Sequence, residues 1–393
     1  MANLLAASLI GVLIRLNDLF PIPHFNYVHW IHAHSHVAFL GWVFMGLIGL
    51  INVYLEKEEN FPDRKFRNLA WFILLANIGM LVSFPVQGYG PVSIFFSAMH
   101  MAFGIYIFLS YRPFFRKYTG LGFRLVRWGF VFMIISGLGP LALGPISAMG
   151  HKESVWYDMA IYFYLHFQYN GFFTLVILGL IIHHLNRNNS LYLEKISAAI
   201  VSGLVAAVIL TYFLSILGTD PPIVFYLLGG LGAVIQIVVV IMILITILRY
   251  YASFFHRENV YINILLVISL TCLETKLYLQ FLSGIPALAD FVFSDRNIII
   301  VYLHMVLLGF ITSFIISWWY RLNPVKMSIY FSWSILNYIL GFVGSETILL
   351  LIILKVLNNL SFAWQLLLLF SVFMVAGFTG IFAGFSNKAS HKF

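Results

Sequence analysis

The chain has 393 residues, of which 62% are hydrophobic and 9% charged, and its single cysteine, Cys272, excludes an intrachain disulfide framework or a cysteine-based metal site. Soluble globular domains carry about 25% charged residues, so this composition predicts an all-α polytopic membrane protein whose spanning backbone satisfies its own hydrogen bonds. The net charge of +8 does not indicate nucleic acid, because Lys and Arg flanking membrane helices produce the same surplus.

A span needs about 20 apolar residues, and on this criterion the sequence predicts a bundle of twelve transmembrane helices. The predicted spans are residues 3–20, 29–55, 67–87, 91–111, 124–150, 157–184, 194–217, 223–250, 260–283, 297–320, 327–354 and 362–385. Turn residues such as those at 88–91 and 218–222 separate them. We expect one membrane domain over residues 1–393, with a first helix that is retained and with no clear internal repeat.

The basic residues predict the orientation. Of the 22 Lys and Arg residues, all but Arg15, Lys152, Lys276, Arg296 and Lys355 fall in the termini or in loops that follow even-numbered helices. The positive-inside rule therefore places both termini in the cytoplasm. The histidine-rich start of predicted helix 2 then faces outward.

Predicted helix 2 opens with a dense group of histidines. His29, His32 and His36 follow an i, i+3, i+7 spacing and share one face, whereas His34 points in roughly the opposite direction. The first two can be interfacial residues. His36 lies roughly 10 Å into the membrane by helix rise, where an ionisable group is a candidate functional residue.

Three other helices carry a histidine at a similar depth. These are His100 in helix 4, His166 in helix 6 and His304 in helix 10, roughly 10–14 Å from the outer face. Ionisable side chains at one level on separate helices suggest a buried cofactor such as heme or a metal. For His100 a helix–helix hydrogen bond is an equally good account.

Charged residues inside predicted helices 9 and 11 are candidates for proton conduction. They are Glu274, Lys276 and Glu346. A structural pairing with a nearby charge is the favoured account, since no continuous polar chain is visible.

Three segments resemble subunit I of the heme-copper oxidase superfamily. Their residue patterns are most similar to those of the C-type oxidases and nitric-oxide reductases. His36-Val37-Ala38-Phe39-Leu40-Gly41-Trp42 resembles the helix 2 segment that carries a low-spin heme ligand. Residues 164–173, around His166, resemble the helix 6 segment with a copper-ligating histidine, and residues 302–310, around His304, resemble the helix 10 segment with two heme ligands. The resemblance implies an oxidase subunit I-like bundle, a bacterial inner membrane, accessory membrane subunits and a cytochrome or quinone as redox partner.

The chain departs from the family pattern at the catalytic centre. The first of the two helix 10 ligand positions is Tyr302, and helix 7 lacks the histidine pair that binds copper or non-heme iron beside His166. Copper or non-heme iron is therefore doubtful, and no catalytic residue is assigned. His166 and His100 are then remnants of that centre, an alternative pair of heme ligands, or part of a small-metal site with Tyr302. The Tyr302 phenolate is also a candidate axial ligand of a heme.

The surviving low-spin site predicts a bis-histidine heme b between helices 2 and 10, with His36 and His304 as ligands. A step of two residues along a helix rotates the direction of the side chain by about 200°. The sequence therefore leaves His32 and His34 open as alternative ligands from helix 2. A heme with two protein ligands transfers electrons or senses redox state. Two alternatives remain: an active oxidase or nitric-oxide reductase with atypical ligands, and a transport or assembly factor for heme or metals.

Overall fold

A computed structural model describes residues 1–59, 63–187, 191–250, 255, 259–325, 327–357 and 359–389. Residues 60–62, whose turn chemistry separates the second and third predicted spans, lie outside the described residues, as do His256 and His391. The protein is 88% helical, and the described residues contain no strand.

Among the described residues, twelve helices are long and apolar enough to cross a membrane, which confirms the predicted fold class and each predicted span. They are α1 Ala2–Leu19, α2 Tyr27–Glu56, α3 Phe66–Gln87, α4 Pro91–Lys117, α5 Leu121–Ala148, α6 Val155–Asn186, α7 Ser197–Thr219, α8 Ile223–Arg249, α9 Val260–Leu282, α10 Arg296–Leu322, α11 Ile329–Ile353 and α12 Ser361–Ser386. The chain is thus an integral membrane protein by length and composition of its helices.

The described helices divide into two compact units. Unit 1 comprises Met1–Ile107, Tyr261–Ser269 and Ile300–Phe393, and unit 2 comprises Phe108–Val260 and Leu270–Ile299. Within unit 1, α11 packs against α12, and α1 lies against α2 and α12. Within unit 2, α5 packs against α6, and α7 against α8.

One helix in each unit is far more buried than its neighbours. In the most apolar stretch of α2, 83% of residues are buried, and in that of α6, 94% are buried. Large apolar side chains on the outer helices, such as Trp71 and Phe95, are exposed, which suits a surface that faces lipid. α2 and α6 are therefore the helices around which the other elements of their units pack.

Three helices change from α-helical to π-helical geometry in mid-span. The π-helical segments are Val37–Phe44 in α2, Phe167–Phe173 in α6 and Met305–Thr312 in α10. Each begins at the residue after a histidine: His36, His166 or His304. π-Helical turns are rare and are frequent at functional sites.

The same three segments share a sequence pattern. A histidine is followed five residues later by glycine and then by an aromatic residue, as in His36-Gly41-Trp42, His166-Gly171-Phe172 and His304-Gly309-Phe310. The pattern recurs every fourth helix. The pattern fixes only three residues in each segment, so it does not test the expectation of no clear internal repeat.

Side chains of other elements bond to backbone carbonyls of the π-helical segments in unit 1. Asn3 Nδ2 donates to the Gly41 carbonyl at 2.7 Å. In α10, the Tyr338 hydroxyl donates to the Leu308 carbonyl at 2.8 Å, and the Ser269 hydroxyl donates to the Phe310 carbonyl at 2.8 Å. Because lipid offers no partner to a backbone group, these bonds stabilise the irregular geometry.

A buried bond joins the two π-helical segments of unit 1 directly. Trp42 Nε1 donates to Thr312 Oγ1 at 2.8 Å, and both residues are buried. Thr312→Val keeps the shape but leaves the indole N–H unpartnered, so we expect the free energy of unfolding to fall by about 1–3 kcal/mol. Thermal unfolding in detergent measures the change.

The matched control for this prediction is Thr379→Val. Its hydroxyl bonds only to the Val375 carbonyl of its own helix, and the residue is exposed. Equal shifts for Thr312→Val and Thr379→Val would show that the link between the segments carries no stability.

Candidate functional site

The three α2 histidines predicted to share a face do so, and they pack against residues 84–89 between α3 and α4. His29 lies against the backbone of this segment. The ring centroids of His32 and His36 lie 4.6 Å and 5.7 Å from that of Tyr89. This face of α2 is therefore an aromatic contact with the α3–α4 turn.

His36 is held in one tautomer by its own helix. Its Nδ1 lies 2.9 Å from the His32 carbonyl, and because a carbonyl only accepts, Nδ1 carries the proton. The Nε2 atom lies 3.5 Å from the Tyr89 hydroxyl, and the ring centroid lies 4.3 Å from that of Phe84, with the two rings tilted by 34°. His36 thus has its nearest neighbours on α3 and the α3–α4 turn.

His34 points away from that face and contacts α1. Its Nδ1 donates to the Ala7 carbonyl at 2.9 Å. A Cβ atom at Gly11 would lie 3.3 Å from His34 Cε1, so the small residue leaves room for the ring. The proton on Nδ1 leaves the Nε2 lone pair of His34 for another partner.

His304 lies beside a carboxylate of α11. Its Nδ1 is 3.3 Å from Glu346 Oε1, a distance typical of an ion pair, although neither atom forms an aligned hydrogen bond. Nδ1 is buried, whereas the side chain as a whole is 25% exposed. The accessible part of His304 is therefore the rest of the side chain, which includes Nε2.

Two further groups complete this polar cluster in unit 1. Arg15 Nη2 donates to Ser345 Oγ at 3.3 Å and interacts electrostatically with Glu346. His34 interacts electrostatically with both His304 and Arg15. We call Arg15, His34, His304 and Glu346 the His304 cluster; its members come from α1, α2, α10 and α11.

His166 in α6, by contrast, has both ring nitrogens bound by protein. Nε2 donates to the Val208 carbonyl at 2.8 Å, and Nδ1 then accepts from Ser215 at 2.8 Å and from Asn170 at 3.1 Å. Val208 and Ser215 belong to α7, the helix for which the oxidase resemblance implies a ligating histidine pair. In this arrangement His166 has no lone pair free for a metal.

The remaining candidates are His100, Tyr302 and Lys276, of which His100 and Lys276 form hydrogen bonds within the protein. His100 Nε2 donates to the Leu40 carbonyl in the π-helical segment of α2 at 3.2 Å, the helix–helix bond that the sequence left as one account of this residue. Tyr302 is half-buried two residues before His304. Lys276 is fully buried in unit 2 and donates to Gln280 at 3.2 Å.

Among the described residues, no three His, Cys, Asp or Glu side chains are grouped as the ligands of a metal ion would be. A bis-histidine heme needs only two protein ligands, so this finding does not bear on it. Comparison with protein-family models and with curated proteins finds no match for the chain.

The sequence named most of these residues but not their grouping. The sequence makes Glu346 and His304 candidates for different reasons, and it marks Arg15 only as an exception to the charge asymmetry. Arg15 and Glu346 interact electrostatically although they are 331 positions apart, and no local pattern signals this.

Replacing His166 with alanine removes three hydrogen bonds and opens a cavity in the interior of unit 2. We expect His166→Ala to lower the free energy of unfolding by about 2–4 kcal/mol, measured by thermal unfolding in detergent. The metal content of the purified variant, measured by elemental analysis, should equal that of the unchanged protein.

His151→Ala is the control, because His151 is exposed in the loop after α5. Copper or iron bound by the unchanged protein and lost only in His166→Ala would contradict the structural role of His166.

Proposed function

We propose that the chain is a membrane heme protein in which a low-spin heme b is held between α2 and α10 by two histidines, and that it transfers electrons or senses redox state. The observation that carries the proposal is the environment of His304: a buried Nδ1 next to a carboxylate, with the remainder of the side chain accessible. Histidines that ligate metals characteristically direct their second nitrogen to a carboxylate or a backbone carbonyl.

The donor set fits this group. Within the His304 cluster, His34 has the same character as His304, since its Nδ1 bonds to the Ala7 carbonyl and its Nε2 is left for a metal. His34 also interacts electrostatically with His304, whereas His36 faces Phe84 and Tyr89. We therefore propose His34 and His304 as the ligand pair, with His36 as the alternative ligand from α2.

The other two members of the cluster have positioning roles. Glu346 Oε1 lies 3.3 Å from His304 Nδ1, so a small rotation of either side chain would let it accept the Nδ1 proton, fix that tautomer and increase the basicity of Nε2. Arg15 offsets the charge of Glu346 in a medium where an isolated carboxylate is costly. The ring of His34 is held by α1 through Ala7 and Gly11.

When bound, the heme supplies a one-electron couple, and two protein ligands leave no open position on its iron. The two nitrogens of His166 that are bound by protein support electron transfer over reduction of oxygen or nitric oxide, because that chemistry needs a second metal beside an open heme. A protein that transfers electrons needs a redox partner, and the oxidase resemblance implies a cytochrome or a quinone.

A reduced-minus-oxidised visible spectrum of the purified protein, with and without CO, tests the proposal. We expect sharp six-coordinate bands that CO does not move, and loss of these bands in both His34→Ala and His304→Ala. His36→Ala is the matched control from the same helix and should keep the bands.

Each other outcome has a definite meaning. If the bands survive in His34→Ala but vanish in His36→Ala, the protein binds heme as proposed, but the ligand from α2 is His36 and not His34. A Soret band shifted by CO would contradict a closed site and favour an oxidase or reductase. A protein that neither retains heme on purification nor binds added heme would overturn the proposal in favour of transport or assembly.

Glu346→Gln tests the positioning role. Changes to groups that orient a metal-bound histidine cost about 10–100-fold in metal affinity, so we expect heme affinity to fall by that factor while the spectrum stays six-coordinate. Heme titration followed in the Soret band measures it. Glu274→Gln, on α9, removes another intramembrane carboxylate and should leave the affinity unchanged; an equal loss in both variants would contradict the role.

A further inference from the structure

A cleft of about 190 Å³ lies where α4 ends and α5 begins, in unit 2 and apart from the His304 cluster. It is lined by Phe108, Arg112, Phe115, Arg116 and Arg127. Three of its five lining residues thus carry a guanidinium group. Arg112 and Arg116 are four residues apart on α4 and share a face, and Arg127 comes from α5.

None of the three arginines forms a hydrogen bond or ion pair within the described part of the chain. All three are exposed. By contrast, the neighbouring Arg124 donates to Ser197 at 3.2 Å. Three like charges around one cleft repel one another, and the attraction of all three to an anion bound between them would offset this repulsion.

Positions at the membrane surface explain these arginines only in part. The C-terminal dipole of α4 favours Arg112 and Arg116, and basic residues flank membrane helices in general. The flanking tendency also covers Arg127, but this residue lies near the N-terminal end of α5, where the helix dipole does not favour a cation. Nor does either effect produce a concave site with an aromatic wall.

The surroundings of the cleft are suited to acyl chains. Leu109 lies one turn before Arg112 and is 51% exposed, and Trp128 follows Arg127 and is 37% exposed. Tryptophan is enriched at the level of lipid headgroups. The cleft therefore sits between a cationic surface and apolar helix faces.

We propose that this cleft is a binding site for an anionic phospholipid, whose phosphate lies among Arg112, Arg116 and Arg127 and whose acyl chains lie along α4 and α5. Guanidinium groups bind phosphate oxygens in bidentate fashion, and basic pockets between membrane helices bind such headgroups. Sites for drug-sized soluble ligands measure about 300–1,000 Å³, so a cleft of 190 Å³ suits a headgroup phosphate better than a nucleotide.

The test uses the full-length protein, delipidated in a neutral detergent and titrated with phosphatidylglycerol, diphosphatidylglycerol or phosphatidylcholine. Native mass spectrometry counts the bound lipids and gives each Kd. An arginine near an anionic headgroup contributes about 1 kcal/mol, so Arg112→Gln, Arg116→Gln and Arg127→Gln should each weaken binding of the anionic lipids about fivefold. Phosphatidylcholine should bind weakly and equally to all variants.

Arg249→Gln is the control, because it removes one exposed arginine from the end of α8 and should leave the lipid affinities unchanged. A triple Lys variant at the three positions keeps the charge and should retain part of the affinity, even if the triple Gln variant does not fold.

Three results would overturn the proposal. The first is the same loss of lipid affinity in Arg249→Gln as in the cleft variants, which would indicate a general charge effect. The second is tight binding of inorganic phosphate or pyrophosphate that displaces the lipid, which would make a free phosphate the ligand. The third is equal affinity for phosphatidylcholine and the anionic lipids. None of these measurements depends on whether heme is bound.

Discussion

A backbone carbonyl inside a lipid bilayer must find its hydrogen-bond donor within the protein, and this constraint governs the centre of the molecule. The π-helical segments of α2 and α10 depart from regular helix geometry in the most apolar part of their spans. Donors from distant parts of the chain bond to them: Asn3 from α1, Ser269 from α9 and Tyr338 from α11. Each bond fixes both the depth and the rotation of one helix against another, so the irregular turns determine how the unit 1 helices pack.

The three π-helical segments differ in how the histidines before them are bonded. At His166 the protein supplies a donor or an acceptor to each ring nitrogen, from α7 and from Asn170. At His304 the buried Nδ1 meets only a misaligned carboxylate, and the rest of the side chain is accessible. A fully satisfied polar group stabilises one packing, whereas an incompletely satisfied one in a membrane is costly and calls for a functional explanation. The contrast separates a structural histidine from a functional candidate more sharply than their similar sequence contexts do.

Hydropathy was sufficient to predict all twelve spans, because the length of an apolar stretch is a local property that the bilayer thickness fixes. The helical period also predicted correctly that His29, His32 and His36 share a face and that His34 lies opposite. It could not predict which face meets α10. A π-helical turn adds one residue, which rotates everything after it by about 100°, so the phase of the helix changes just beyond His36 and again beyond His304. The grouping of Arg15 with Glu346 was equally invisible, since it depends on packing between helices far apart in sequence.

The arrangement around α6 differs from the metal centre that the oxidase resemblance would place there. Val208 and Ser215 of α7 bind the two nitrogens of His166, and Lys276 interacts electrostatically with the same ring. A carbonyl and a hydroxyl thus occupy the two ring nitrogens, so neither is left to coordinate a metal in this arrangement. The two nitrogens of His166 therefore have protein partners in the packing of α6 against α7. Fold and site chemistry are separable, and the unsatisfied buried atoms of His304 and Glu346 are among the observations on which the proposal for the His304 cluster rests.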